Sequence, residues 1–305
     1  MNIWDFRVRS GLIETLMGLI ELSRPINSLM GVLGIFVGIA MASGEFPLSF
    51  MPVDQVLLHV VGGFFISASI MTLNDVIDHE IDKINAPWRP IPSGRVSLEL
   101  AWAVGLATAL IGIALSLLID PVPQVTALAL IALVLAHSYN FYLKRTPLLG
   151  NVVVAWVTAL PIAYGGLAVS HYLGPDSVNW TRLALIWFMA FTAVLGREVV
   201  KSVADIEGDR AKEVKTIAVL LGPEKALYLA SLFYLIAVAS SLAIAFVGDV
   251  NLAVYLPPII VIDLLALRDL ARLLRKPEPV TALAHKNRVL YLMLLALIVI
   301  YMAST

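Results

Sequence analysis

The 305-residue chain contains no cysteine. That excludes disulfides, thiolate metal sites and cysteine nucleophiles. Charge is scarce as well: 14% of residues are Asp, Glu, Lys or Arg, and they nearly cancel to a net charge of -1. Such a chain offers no basic surface for nucleic acid. There are five histidines, of which only His79 falls among the acidic positions described below, so a zinc or copper site is not expected. Hydrocarbon is what abounds. With 60% hydrophobic residues and a mean hydropathy of +0.90, the chain carries more apolar surface than a soluble domain of its length could bury. It reads as an integral membrane protein. No short leading apolar segment with a small-residue cleavage site is apparent, so the first helix is expected to remain in place.

A crossing needs ~20 mainly apolar residues. Such runs fall near 22–43, 55–74, 98–119, 123–143, 148–170, 181–203, 225–247, 251–273 and 287–304, the eighth being interrupted by Pro257, Pro258 and Asp263. Hydrocarbon cannot satisfy backbone polar groups, so each span must satisfy its own, and these lengths fit helices rather than the ~10-residue alternating strands of a barrel. The expected fold is an all-α, polytopic, nine-transmembrane-helix bundle, a single domain over 1–305. With the amino terminus inside, every basic residue except Arg182 falls on the cytoplasmic side, as the positive-inside tendency requires. This places the protein in the cell membrane with a cytoplasmic amino terminus and an outer carboxyl terminus. The small-residue stretch "GVLGIFVGIA" at 31–40 is read as close helix packing.

Against this apolar background, "NDVIDHEID" at 74–82 and "DIEGD" at 205–209 stand out. The first follows span two and the second follows span six, so an even number of crossings separates them and both emerge on the same side. Asn74, Asp78 and Asp82 recur at i, i+4 and i+8, and Asp205 and Asp209 at i and i+4, so each set projects from one helical face. Facing each other, they make a mouth of hard oxygen ligands suited to Mg2+. The cations nearby are Arg89 and Arg95 after the first motif, Lys144 and Arg145 after span four, and Arg197 and Lys201 before Asp205. Carboxylates with Mg2+ and with Arg and Lys suggest a diphosphate ester, whose remainder would be a hydrocarbon chain lying among the helices. The motif segments, about 74–97 and 197–224, are expected as cytoplasmic loops. His59, His137 and His171 are read as interhelical hydrogen-bonding or interfacial residues.

The two motifs at these places, with "ELSRPINSLMG" opening the first span, resemble the UbiA superfamily of intramembrane prenyltransferases over nearly the whole chain. Within it, "INAPWRPIPSGRVS" and "RPINSLMG" are most similar to archaeal members that attach a second geranylgeranyl group to geranylgeranylglyceryl phosphate. The resemblance implies Asn74, Asp75, Asp78, Asp82, Asp205 and Asp209 as holders of Mg2+, two ions in all. It implies Arg24, Arg89, Arg95, Lys144, Arg145 and Lys201 as diphosphate binders, with Asn27 supporting Arg24. Asp78, Asp82, Asp205, Asp209, Tyr139 and Lys144 carry the chemistry in that reading. The tyrosine is open between Tyr139 and Tyr142, because Tyr139 to Lys144 is one residue longer than the commonest family spacing. The implied partners are an isoprenyl diphosphate donor, a lipid-like phosphate acceptor and membrane lipid, with no obligate protein partner. The placement of one acidic motif after the second helix of each half implies two four-helix halves plus a ninth helix. An aromatic acceptor such as 4-hydroxybenzoate is the alternative within the family, and a cation transporter is the alternative of another class.

Overall fold

The computed structural model describes residues 3–119, 123–143, 146–211, 213–247 and 250–305, with side chains from Gly11 onward. Its long helices are α1 (Ile3–Leu22), α2 (Pro25–Ser43), α3 (Val53–Asn85), α4 (Leu98–Leu118), α5 (Pro123–Phe141), α6 (Leu149–Leu173) and α7 (Trp180–Ala204). Two short helices, α8 (Ile206–Ala211) and α9 (Ile217–Leu221), lead into α10 (Pro223–Val247), α11 (Leu252–Arg275) and α12 (Pro279–Ser304). No strand occurs among the described residues. Helix stands at each of the nine expected positions, but the count of nine spans goes beyond what length and apolarity support. Among the described residues, eight segments are long and apolar enough to cross a bilayer, and α11 is not one of them. It holds Asp263, Arg268, Asp269 and Arg272 as well as the two prolines.

The start of the chain differs from expectation. Residues 3–22 form a helix of their own, α1, and the chain then breaks at Ser23–Arg24. Pro25 disfavours right-handed helix for the residue before it, and Arg24 adopts a left-handed conformation with φ 42° and ψ 67°. Non-glycine residues pay about 1–2 kcal/mol for that geometry. The turn sets Arg24 beside the first acidic motif.

The acidic segments are helical rather than loops. α3 has 33 residues, about 50 Å at 1.5 Å per residue, well beyond the ~30 Å hydrocarbon core. Its last three turns carry Asn74 to Asn85, and with no proline before Pro87 nothing interrupts the helix there. The second motif does break: α7 ends at Ala204, Asp205 caps it, and α8 follows. A backbone bond from the Asp209 N–H to the Asp205 carbonyl, 3.0 Å, preserves the i, i+4 relation.

Helix pairing repeats between the halves. α3 packs on α4, and α7 packs on α10, the same second-to-third step, while the leading helices α2 and α6 meet in the centre. α12 closes against α2 and α7. The central crossing is tight because of glycine. A Cβ on Gly38 would lie 2.1 Å from the Ile162 carbonyl oxygen, and one on Gly165 would lie 2.4 Å from that of Ile35. Small residues let backbones approach this closely in membranes. Gly38→Val should therefore force α2 and α6 apart and cost at least about 2 kcal/mol, read as a lowered thermal midpoint in detergent. Gly11→Ala, where nothing lies within 4 Å, should not lower it.

Candidate active site

The final turns of α3 present Asn74, Asp78, Asp82 and Asn85 to one polar pocket, and α7 and α8 present Glu198, Lys201, Asp205 and Asp209 to the same pocket from the other side. Tyr139 of α5 completes the wall. The two motifs touch directly: the Gly208 N–H donates to Asn85 Oδ1 at 3.0 Å. A Cβ at Gly208 would fall 2.2 Å from that oxygen, so the glycine of "DIEGD" is what permits the approach. Asn85 belongs to the same helical face as the motif carboxylates, three residues past Asp82, and the spacing could have revealed it.

Asn74 is fixed by donating to Asn140 Oδ1 at 2.7 Å and, more loosely, to Asp78 at 3.4 Å. Asp82 is buried and accepts from Arg89 Nη1 at 2.5 Å. Arg89 also reaches Asp75 at 3.3 Å, and Arg24 pairs with the same Asp75 oxygen. Burial opposes the charge on Arg89, but Asp75 and Asp82 outweigh it and raise its pKa above the ordinary arginine value. Asp75 is thus clasped by two guanidinium groups and does not line the pocket. Successive helical residues point about 100° apart, which separates Asp75 from Asp78.

The other expected residues fall in several places. Lys201 lines the pocket 3.5 Å from Glu198. Arg24 and Asn27 line the adjoining apolar cavity, both within reach of the Met71 sulfur. Arg95 turns elsewhere, to Glu21 at 2.7 Å and to the Trp88 carbonyl at 2.8 Å, and lines neither space. Tyr139 lines both spaces, whereas Tyr142 is 76% exposed. Lys144 and Arg145 lie outside the described residues. Sequence reasoning missed Glu198, Asn140, Tyr234 and Lys286. Glu198 had a signal, three residues before Lys201 on α7; the others enter only through packing.

Among the described residues no three His, Asp or Glu side chains form a ready-made metal cage. Mg2+ does not require one, since it keeps several waters and commonly takes one or two carboxylates together with substrate phosphates. Asp78, Asp205 and Asp209, oxygen donors on opposite walls of one pocket, suit that mode. His79, by contrast, meets the Val76 carbonyl at 2.8 Å and Glu80 at 3.2 Å, and does not line the pocket.

Below the carboxylates lies a mostly apolar cavity of about 360 Å³. Asn74, Arg89, Tyr139, Glu198 and Lys201 line both spaces, so a polar mouth opens into a hydrocarbon chamber. That division matches an amphiphile whose anionic head and apolar tail need different surroundings.

Known proteins resemble this chain in sequence and fold. Residues 31–298 match the model of the UbiA prenyltransferase family. Digeranylgeranylglyceryl phosphate synthase of Ignicoccus hospitalis is 37% identical over 88% of this chain and 85% of its own. The enzyme of that name from Saccharolobus solfataricus is 38% identical over 75% of this chain and 77% of its own. A solved structure described as giving insight into digeranylgeranylglyceryl phosphate synthase superposes with a TM-score of 0.68 at 26% identity, covering 95% of this chain and 99% of that one. A UbiA homologue from Archaeoglobus fulgidus, bound to GPP and Mg2+, shares the fold with a TM-score of 0.63 at 19% identity, covering 93% and 99%. The chain, an integral membrane helical bundle with two acidic motifs at one pocket, belongs to the UbiA prenyltransferase family.

Proposed function

We propose that this protein transfers a geranylgeranyl group from geranylgeranyl diphosphate to geranylgeranylglyceryl phosphate, with two Mg2+ ions, in archaeal ether-lipid synthesis. The observation that carries the reading is the meeting of both acidic motifs at one pocket that opens into the apolar cavity. The relatives named digeranylgeranylglyceryl phosphate synthase support the choice of acceptor.

Asn74, Asp78, Asp82, Asp205 and Asp209 would hold the metal; Asp75 contributes by keeping Arg24 and Arg89 in place. When bound, Mg2+ would neutralise the diphosphate and stabilise the charge that grows on it as the C–O bond breaks. Arg24, Arg89 and Lys201, with Lys144 and Arg145, favour the same charge, so they act on the transition state more than on bound substrate. The cavity walls keep water from the allylic cation, and the Tyr139 ring offers it a π face. A motif carboxylate takes the proton of the attacking acceptor hydroxyl. The distribution of basic residues supports a cytoplasmic side for the motif segments, the active site and the amino terminus, with the carboxyl terminus outside.

The test is transfer by purified protein from radiolabelled geranylgeranyl diphosphate with Mg2+, offering geranylgeranylglyceryl phosphate and, separately, 4-hydroxybenzoate. Label should appear in the lipid product alone. Label on 4-hydroxybenzoate alone would replace the acceptor, and no transfer with intact cation flux would replace the enzyme by a transporter.

A further inference from the structure

Arg197 and Lys286 line the large cavity but not the carboxylate pocket, and the reaction described above leaves both unexplained. On α7, Arg197 Nη1 and Lys201 Nζ each stand 3.5 Å from the two oxygens of Glu198, which is 5% exposed. The Arg197 Nε–H also donates to the Lys286 carbonyl at 3.2 Å, tying α7 to the start of α12. Lys286 stands close enough to interact electrostatically with Asp205, Lys201, Arg197 and Glu198. Three cations thus face two carboxylates, Glu198 and Asp205, which leaves one positive charge in excess beside an apolar chamber. Ion pairs at 3.5 Å are loose and leave donors for another partner.

A second, independent feature sits in the same wall. Tyr234 of α10 lines the cavity and is 6% exposed, yet its hydroxyl has no hydrogen-bond partner. An unmade buried hydrogen bond costs about 1–3 kcal/mol, so such a group marks a place where a ligand or water belongs. The ring packs edge-on against His285, centroids 5.6 Å apart. His285 is held in turn by Asp269 at 2.8 Å, so the tyrosine stands on a fixed support.

Arg197, Lys286 and Tyr234 line the large cavity but not the carboxylate pocket. We propose that these three form a separate anion subsite, which takes the phosphomonoester of the acceptor lipid while the acidic motifs take the diphosphate of the donor. The proposal rests on the functional reading above and names how the acceptor is recognised. A phosphomonoester carries about -1.5 to -2 charge at pH 7 and three acceptor oxygens, one for each of the donors Arg197, Lys286 and Tyr234. Glu198 is a positioning residue that holds Arg197 and Lys201 apart.

Direct binding tests this without turnover. Radiolabelled geranylgeranylglyceryl phosphate and its phosphate-free alcohol would be bound to the full chain in nanodiscs, without Mg2+ or donor. The wild type should prefer the phosphorylated lipid by at least about tenfold. Arg197→Gln and Lys286→Gln should each cut that preference by about tenfold or more, as expected for a hydrogen bond to a charged group, and Tyr234→Phe, which keeps the ring, by about threefold. Retained Mg2+-dependent binding of geranylgeranyl diphosphate certifies that each variant is folded. Equal binding of both lipids by the wild type, or a preference that Lys286→Gln and Tyr234→Phe leave untouched, overturns the subsite. Phosphate-selective binding without transfer would retire the proposed reaction and keep the subsite; transfer with an untouched preference would do the reverse.

Discussion

Alanine at Asp78 or at Asp209 is expected to lower prenyl transfer by at least about a thousandfold. Each residue lines the shared pocket from its own wall, so under the proposed function losing either would break the clamp on the departing diphosphate. A thousandfold is about 4 kcal/mol of transition-state stabilisation, within the range a positioned metal supplies. The effect should fall on kcat more than on donor affinity, since the charge at stake develops during bond cleavage. Glu207 lies between Asp205 and Asp209 in sequence but is exposed and does not line the pocket; Glu207→Ala should retain full transfer. Steady-state kinetics on detergent-purified variants with unchanged elution profiles check both statements. Retained activity in Asp78→Ala or Asp209→Ala would remove that residue from the clamp.

Arg89→Ala should cost stability as well as activity. Its guanidinium bridges Asp82 at 2.5 Å and Asp75 at 3.3 Å, and these carboxylates are only 8% and 5% exposed. Removing one partner of a buried pair typically costs about 3–5 kcal/mol, because a charge is left uncompensated. Arg24 still contacts Asp75, so Asp82 bears most of the loss. The thermal midpoint in detergent should therefore fall, and Asp82→Asn in the same chain should recover much of it by removing the orphaned charge, without restoring transfer. A variant that loses turnover at an unchanged midpoint would make Arg89 a substrate contact only.

The pairing explains why some of this site was legible in the sequence and some was not. Asn74, Asp78, Asp82, Asp205 and Asp209 could be read because helical spacing puts each set on one face, and because an even number of crossings puts both sets on one side. That reading holds even though the second set straddles the α7–α8 break, since the backbone bond between Asp209 and Asp205 keeps their relation. The direction of Asp75 could not be read, for it depends on how α3 is rotated against α2 and on the unusual backbone of Arg24. Tyr139 and Tyr142 differ by three residues at a fraying helix end, so only packing decides that Tyr139 faces inward. Glu198, Lys286 and Tyr234 come from α7, α12 and α10, and nothing in their local sequence announces that they converge. The spans were legible from apolar runs, but α1 was hidden because its helix is continuous in hydropathy with α2 until Pro25 breaks it. The eighth expected span, α11, carries acids and bases that keep it outside the set identified by length and apolarity alone.

The central claim is that the two acidic motifs meet, and one crosslink tests it. The chain has no cysteine, so Asn85→Cys with Gly208→Cys introduces the only two thiols. Asn85 Cγ lies 2.5 Å from where a Gly208 Cβ would sit, so its Cβ, one bond further back, falls within about 4 Å, inside the disulfide range. Mild oxidation in native membranes should close an intramolecular bridge in the double variant, read as the loss of both reactive thiols and their recovery on reduction. Two thiols that stay reactive in a folded, membrane-inserted chain would show the motifs apart and contradict the account.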